Sequence, residues 1–152
     1  MGKLDLVITQ NIDGLHQKAG SKNVIEIHGT SLKNYCTGCN MNFPSDYIFT
    51  HTDFNIPRCP QCGNLIRPDI VLYCESLPYK AMNEASNAIA EADLIIIGGT
   101  SMSVYPANTL IPYWKSKDCK IVIINKEETH LDKQSDLVFH ESIGKVFEQI
   151  KF

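Results

Sequence analysis

Apolar residues in this chain come mostly in short unbroken runs rather than in strict alternation with polar ones. Leu4–Ile8, Val24–Ile27, Ile70–Tyr73, Leu94–Ile97, Ile121–Ile124 and Leu137–Phe139 are each of strand length. Runs that are apolar on both faces mark strands buried inside a parallel sheet. Between them the spacing turns helical. Gly14–Ala19 predicts a short helix stopped by Gly20, and Leu77–Ala92 a longer one, with Met82, Ala85, Ala88, Ile89 and Ala92 on one side. Ala107–Lys115 predicts a helix bent near Pro112, and Ile143–Lys151 a closing helix with Val146, Phe147 and Ile150 inward. Strands alternating with helices predict an α/β fold, a Rossmann-like parallel sheet covered on both faces.

Residues 33–67 break that pattern. They show little periodicity, and Pro44, Pro57 and Pro60, with Pro68 just beyond, punctuate them. The expected organisation is a body formed by residues 1–32 and 68–152, with 33–67 as an inserted module. The insertion carries Cys36-x-x-Cys39 and, nineteen residues on, Cys59-x-x-Cys62. Two such knuckles bring four thiolates to a tetrahedral zinc ion, in the manner of a zinc ribbon. Gly38 and Gly63 are expected to relieve the knuckle turns. Four cysteine ligands leave no coordination position for substrate, so one structural zinc is expected.

Composition narrows the classes further. At 152 residues the chain is of single-domain size, and 43% of it is hydrophobic and 20% charged. A net charge of -3 and a pI near 5.9 provide no basic field for nucleic acid. No apolar run reaches the roughly 20 residues needed to cross a bilayer, and the first residues lack a signal-peptide pattern. Six cysteines without an export signal point to a reducing, cytoplasmic setting.

Three polar clusters follow apolar runs, where open α/β sheets place ligands. Thr9-Gln10-Asn11-Ile12-Asp13 reads equally as a helix-capping turn, with Asp13 as N-cap, or as a donor set for a ribose or carboxamide. His28-Gly29 ends the second run; the histidine is either structural or a general base, with a glycine that lets a ligand approach. His16, His51, His130 and His140 have no comparable setting and read as surface or helix residues. Gly98-Gly99-Thr100-Ser101 fits a phosphate-binding turn or plain turn punctuation, and Asn125 ends the next strand.

The order of these segments is more telling than any one of them. Residues 9–16 (TQNIDGLH), Ile27-His28-Gly29, the four cysteines, Arg67–Val71, Gly99–Ala107 and Ile124-Asn125 together strongly resemble the sirtuin family. The resemblance extends from about Leu4 to the C-terminus. It implies NAD-dependent removal of acyl groups from protein lysine, giving nicotinamide and an O-acyl-ADP-ribose. On that resemblance His28 is the base acting on the nicotinamide ribose, Gln10 and Asn11 contact that ribose and position water, and Ile12 and Asp13 hold the nicotinamide carboxamide. Gly99, Thr100 and Ser101 meet phosphate and ribose, Asn125 the adenosine ribose, and Ser142 and Ile143 the adenine. The acylated peptide adds as a strand between Val71-Leu72-Tyr73-Cys74-Glu75 and Ser103-Val104.

Two departures qualify the resemblance. Cys74 stands where the family usually has glycine; if the backbone there has φ > 0, a Cβ costs on the order of 1 kcal/mol. The family's leading strand, its Gly-Ala-Gly turn and its Asp-Phe-Arg loop have no counterpart. The chain is therefore expected to be an N-terminally truncated form that binds NAD weakly or not at all when alone. A zinc-ribbon pseudoenzyme that docks a partner, and a mono-ADP-ribosyltransferase using the same site, are the alternatives.

Overall fold

The computed structural model describes residues 3–51, 56–103, 108–110 and 118–150. It divides into two compact units, Met1–Met82 and Asn83–Phe152. The helix predicted over Ala107–Lys115, with its bend at Pro112, lies mostly outside the described residues, as does Val104.

The first unit begins with β1 (Val7–Thr9), a short helix α1 (Leu15–Lys18) and β2 (Val24–Glu26). β1 and β2 pair in parallel, Val7 opposite Val24 and Thr9 opposite Glu26. Helix α1 ends as its sequence predicts: Gly20, at φ 97, donates to the Gln17 carbonyl, and Ser21 donates to that of His16. Its start differs. Gly14, at φ 66, occupies the N-cap, and Asp13 Oδ1 instead accepts the Leu15 N–H at 3.0 Å.

Residues 33–67 are more regular than their composition suggests. Strand β3 (Gly29–Cys36) is followed by β4 (Asn42–Pro44), α2 (Ser45–His51) and β5 (Ile66–Ile70), and the strands form an antiparallel sheet in the order β4-β3-β5. The expected strand at Ile70–Tyr73 is thus displaced toward the N-terminus. Pro68 reads as punctuation, yet it sits inside β5 opposite Asn34, because an edge strand tolerates a residue without an N–H. The register skips between Thr30 and Asn34, a bulge that lets β3 run from Gly29 opposite Ile70 to Cys36 opposite Ile66. Cys36, Phe43, Cys59 and Ile66 form this sheet's core, with Tyr47 and Ile48 of α2 packed on it.

In the second unit, α3 (Tyr79–Glu91, which begins just before the boundary) leads to β6 (Leu94–Gly98), β7 (Lys120–Ile124), β8 (Leu137–Phe139) and α4 (Ile143–Glu148). The strands pair in parallel in the order β6-β7-β8, as their apolar runs predict. One face is closed: Ile97, Ile121, Ile123 and Leu131 are buried, with Ile89, Ile95, Met102 and Val138 against them. Cover on the other face is partial. Val146 is half-buried, but Phe147 and Ile150, expected inward, are exposed; with Ile96, Val122 and Phe139 they line an open groove of about 450 Å³.

Candidate functional site

The four predicted zinc ligands converge. Their sulfur atoms lie within 4.8 Å of one another, with Cys36 to Cys62 at 3.3 Å and Cys39 to Cys59 at 3.6 Å. A tetrahedron with zinc–sulfur bonds of about 2.3 Å needs sulfurs roughly 3.8 Å apart, so the donor set fits zinc. Backbone N–H groups support it: Gly38 N lies 3.3 Å and Cys39 N 3.5 Å from Cys36 Sγ. Asn64 Nδ2 donates to Cys62 Sγ at 3.4 Å, and this bond is the main reason that thiol is held down to about 6. Gly63, at φ 72, makes the left-handed turn expected of it. In the first knuckle that conformation falls on Asn40 (φ 58). Gly38 is needed for space instead, since a Cβ there would meet the Asn64 amide at 2.2 Å.

Around His28 the same unit gathers the first two polar clusters. The Ile27 N–H donates to the Thr9 carbonyl at 3.1 Å, His28 Nδ1 lies 2.9 Å from the Gln10 carbonyl, and the Ser31 N–H and hydroxyl both donate to the Ile12 carbonyl. Carbonyls at residues 9, 10 and 12 are therefore pinned, while Asn11 and Asp13 remain exposed. A ring nitrogen facing a carbonyl must carry the proton, so Nδ1 is the donor and Nε2 keeps its lone pair. This is the tautomer a general base requires. The His28 carbonyl in turn accepts the Val71 N–H at 2.9 Å, which ties the histidine to the segment 71–75. Gly29, at φ 75, permits that crossing: a Cβ there would sit 2.1 Å from the Asp69 carbonyl oxygen.

Residues 72–75 form a turn rather than a strand, with the Glu75 N–H on the Leu72 carbonyl at 3.0 Å. Arg67 clamps it. Its Nη1 and Nη2 reach the two Glu75 oxygens at 2.6 and 2.9 Å, Nη2 also meets the Ile70 carbonyl, and Glu75 Oε2 accepts the Leu72 N–H. The Arg67 guanidinium is the largest influence holding the Glu75 carboxyl down to about 2. Because this pKa is depressed, the pair's contribution is complete above pH about 4.5 and is lost as pH falls toward 2. Tyr73, at the tip, is fully open to solvent, and Cys74 beside it is exposed.

The second unit assembles the third cluster at the C-terminal ends of its strands. Gly98 pairs with Ile124, the Gly99 N–H donates to the Ile124 carbonyl, and the Asn125 N–H donates to that of Phe139. A Cβ on Gly98 would meet Ile143 Cδ1 at 2.3 Å, so residues 98–101, Asn125, Ser142 and Ile143 share one end of this sheet. Ser101 and Ser103 hydroxyls lie 2.5 Å apart there. That end is where an open α/β sheet receives a nucleotide, and the exposed hydroxyls of Ser101 and Ser103 suit one.

Comparison with known proteins fixes the lineage. Residues 1–106 match the Sir2 family. The chain belongs to that family. An NAD-dependent protein deacetylase of Clostridium acetobutylicum is 48% identical over 149 residues, 98% of this chain and 60% of that protein. A solved structure described as the structural basis of sirtuin substrate affinity superposes with a TM-score of 0.92 at 38% identity, over 97% of this chain and 61% of the other. A Sir2–p53 peptide–NAD+ complex superposes with a TM-score of 0.88 at 38% identity, over 96% and 61%. The chain spans about 60% of the length of the curated relatives it matches.

In this Sir2 chain the departure at Cys74 has a measurable backbone correlate, a φ of 70 at the third position of the turn. Left-handed backbone costs a non-glycine residue about 1–2 kcal/mol, against roughly 0.5–1 kcal/mol of extra chain entropy for glycine. Cys74→Gly is expected to stabilise the zinc-loaded chain by about 0.5–1 kcal/mol in urea denaturation. A lower midpoint would show that the Cys74 side chain makes contacts outweighing the strain. Arg67 and His140 are the residues that sequence reasoning passed over. Arg67 lies within a matching Sir2 segment, yet nothing linear pairs it with Glu75. His140 stands beside Asn125, with Nδ1 3.3 Å from its carbonyl.

Proposed function

We propose that this chain carries the zinc module and much of the catalytic pocket of an NAD-dependent protein lysine deacylase, releasing nicotinamide and O-acyl-ADP-ribose. The observation that carries this reading is His28, with Nδ1 engaged by the Gln10 carbonyl and Nε2 left as the basic nitrogen. NAD supplies the anomeric carbon and the nicotinamide leaving group. The chain's own residues bind, orient and move protons. His28 Nε2 takes a hydroxyl proton from the nicotinamide ribose, Gln10 and Asn11 hold that ribose and a water, and Ile12 and Asp13 hold the carboxamide. Gly99, Thr100 and Ser101 meet phosphate and ribose, Asn125 meets the adenosine ribose, and Ser142 and Ile143 flank adenine. An acylated-lysine protein or peptide contacts Val71, Tyr73, Cys74 and Glu75, and also Val104.

On this reading the NAD-binding body is residues 1–32 with 68–152, and residues 33–67 are the structural zinc module. Thiolate ligands suit a reducing cytoplasm, and among the described residues no helix is long and apolar enough to cross a membrane. The test uses this chain and a version extended to the relatives' length, each mixed with NAD and an acetyl-lysine peptide. Nicotinamide release in step with deacetylation is expected from the extended protein. Silence across several acyl-lysines would overturn the reading, and ADP-ribose appearing on protein would favour mono-ADP-ribosyl transfer. The left-handed Cys74 motivates the remaining alternative, a partner-docking zinc-ribbon pseudoenzyme, which would give no NAD-dependent signal.

A further inference from the structure

His140 presents both ring nitrogens to acceptors. Nδ1 lies 3.3 Å from the Asn125 carbonyl oxygen and Nε2 lies 3.3 Å from Asp132 Oδ2. A neutral imidazole has one N–H, so one of the two contacts would then set lone pair against lone pair; only the imidazolium donates to both. Asp132, in the short 3-10 helix Asp132–Gln134, also accepts the Thr129 hydroxyl and N–H. The Thr129 hydroxyl is the main cause holding its carboxyl below the usual range, so it stays ionised at neutral pH.

Asn125 is held on its other sides as well. Its N–H donates to the Phe139 carbonyl at 3.0 Å and its Nδ2 to the Glu127 carbonyl at 2.8 Å. Its own carbonyl is what His140 reaches. Of the charged residues nearby in sequence, His130 and Lys133 flank Asp132 and are exposed, and Glu141 is engaged by the Ser142 N–H at 2.7 Å and Lys145 at 3.2 Å. Lys126, Glu127 and Glu128, in the loop after β7, are exposed.

We propose that His140 is a positioning residue whose protonation fastens the end of β7 to the 3-10 helix, setting the pose of Asn125 through Asp132. The effect on cofactor rests on the reading of Asn125 as an adenosine-ribose contact; the latch itself does not. The imidazolium makes both contacts and the neutral ring only one, so the latch closes on protonation and opens on deprotonation. The contacts are partly exposed, so the change in cofactor affinity is small, about two- to five-fold.

The test is NMR on the zinc-loaded chain between pH 5.5 and 8.5. The His140 ring nitrogens and the Asn125 amide are expected to titrate with one midpoint. His140→Gln should flatten the Asn125 response, and Asp132→Asn should move the His140 midpoint to lower pH. An Asn125 amide that ignores the His140 titration, or a midpoint unmoved by Asp132→Asn, would overturn the latch. NAD titrated into the protein extended to its relatives' length is expected to shift the Asn125 amide two- to five-fold more readily at pH 6 than at pH 8, and His140→Gln should erase the difference. NAD causing no change at Asn125 at either pH would overturn the cofactor reading and leave the latch judged by its titration alone.

Discussion

Chelating the metal from the purified chain is expected to unfold the sheet β4-β3-β5 and to release one zinc ion per chain. Structural zinc contributes about 10–16 kcal/mol of apparent binding free energy, as much as the whole stability of a typical domain at about 5–15 kcal/mol. Little else holds this module. Of the four buried residues in its core, two are the ligands Cys36 and Cys59 themselves, leaving Phe43 and Ile66 as apolar core. Cys36→Ser should reproduce the effect, because it removes a ligand that is also fully buried. A chromophoric chelator gives the stoichiometry, and amide dispersion of Gly29–Cys36 and Ile66–Ile70 reports the sheet. A metal-free chain with unchanged dispersion and unchanged stability would refute the zinc assignment.

His28→Ala, made in the protein extended to its relatives' length, should lower kcat by about 10²–10⁴-fold, the usual contribution of a positioned general base. KM for NAD should change much less, since the carbonyls that pin residues 9–12 are held by Ile27 and Ser31 as well as by His28. Zinc content and melting temperature should stay close to those of the parent, because the link from residue 28 to Val71 runs through its backbone carbonyl. Steady-state nicotinamide release measures the first effect, and metal analysis with thermal denaturation measures the second. Full turnover in the variant would remove His28 from the chemistry.

Much of the second unit was legible because its strands obey one rule. Leu94–Ile97, Ile121–Ile124 and Leu137–Phe139 are continuous apolar runs, and all three pair in parallel. The zinc ligands were legible for a similar reason: the chemistry demands a spacing, and the spacing is local. What escaped depends on pairing across the chain. β5 was misplaced because Pro68 is a breaker in isolation and tolerable on an edge, which only the β3 partner reveals. The bulge between Thr30 and Asn34 leaves no linear trace. Asp13 failed as an N-cap because Gly14, at φ 66, starts the helix one residue later. His140 looked ordinary, and its two acceptors, Asn125 and Asp132, lie 15 and 8 residues back along the chain.

Strand β3 links the metal cluster to His28. It begins immediately after His28 and ends on Cys36, a zinc ligand, and β5 braces both ends. Seven residue steps at about 3.3 Å make it a strut of roughly 23 Å joining the metal cluster to the histidine. Loosening the far end therefore removes the support that sets the near one, including the Val71 contact to the His28 carbonyl. In the protein extended to its relatives' length, any loss of turnover on treatment with a chelator would report a collapsed strut, because four cysteines already fill the coordination sphere of the ion they hold.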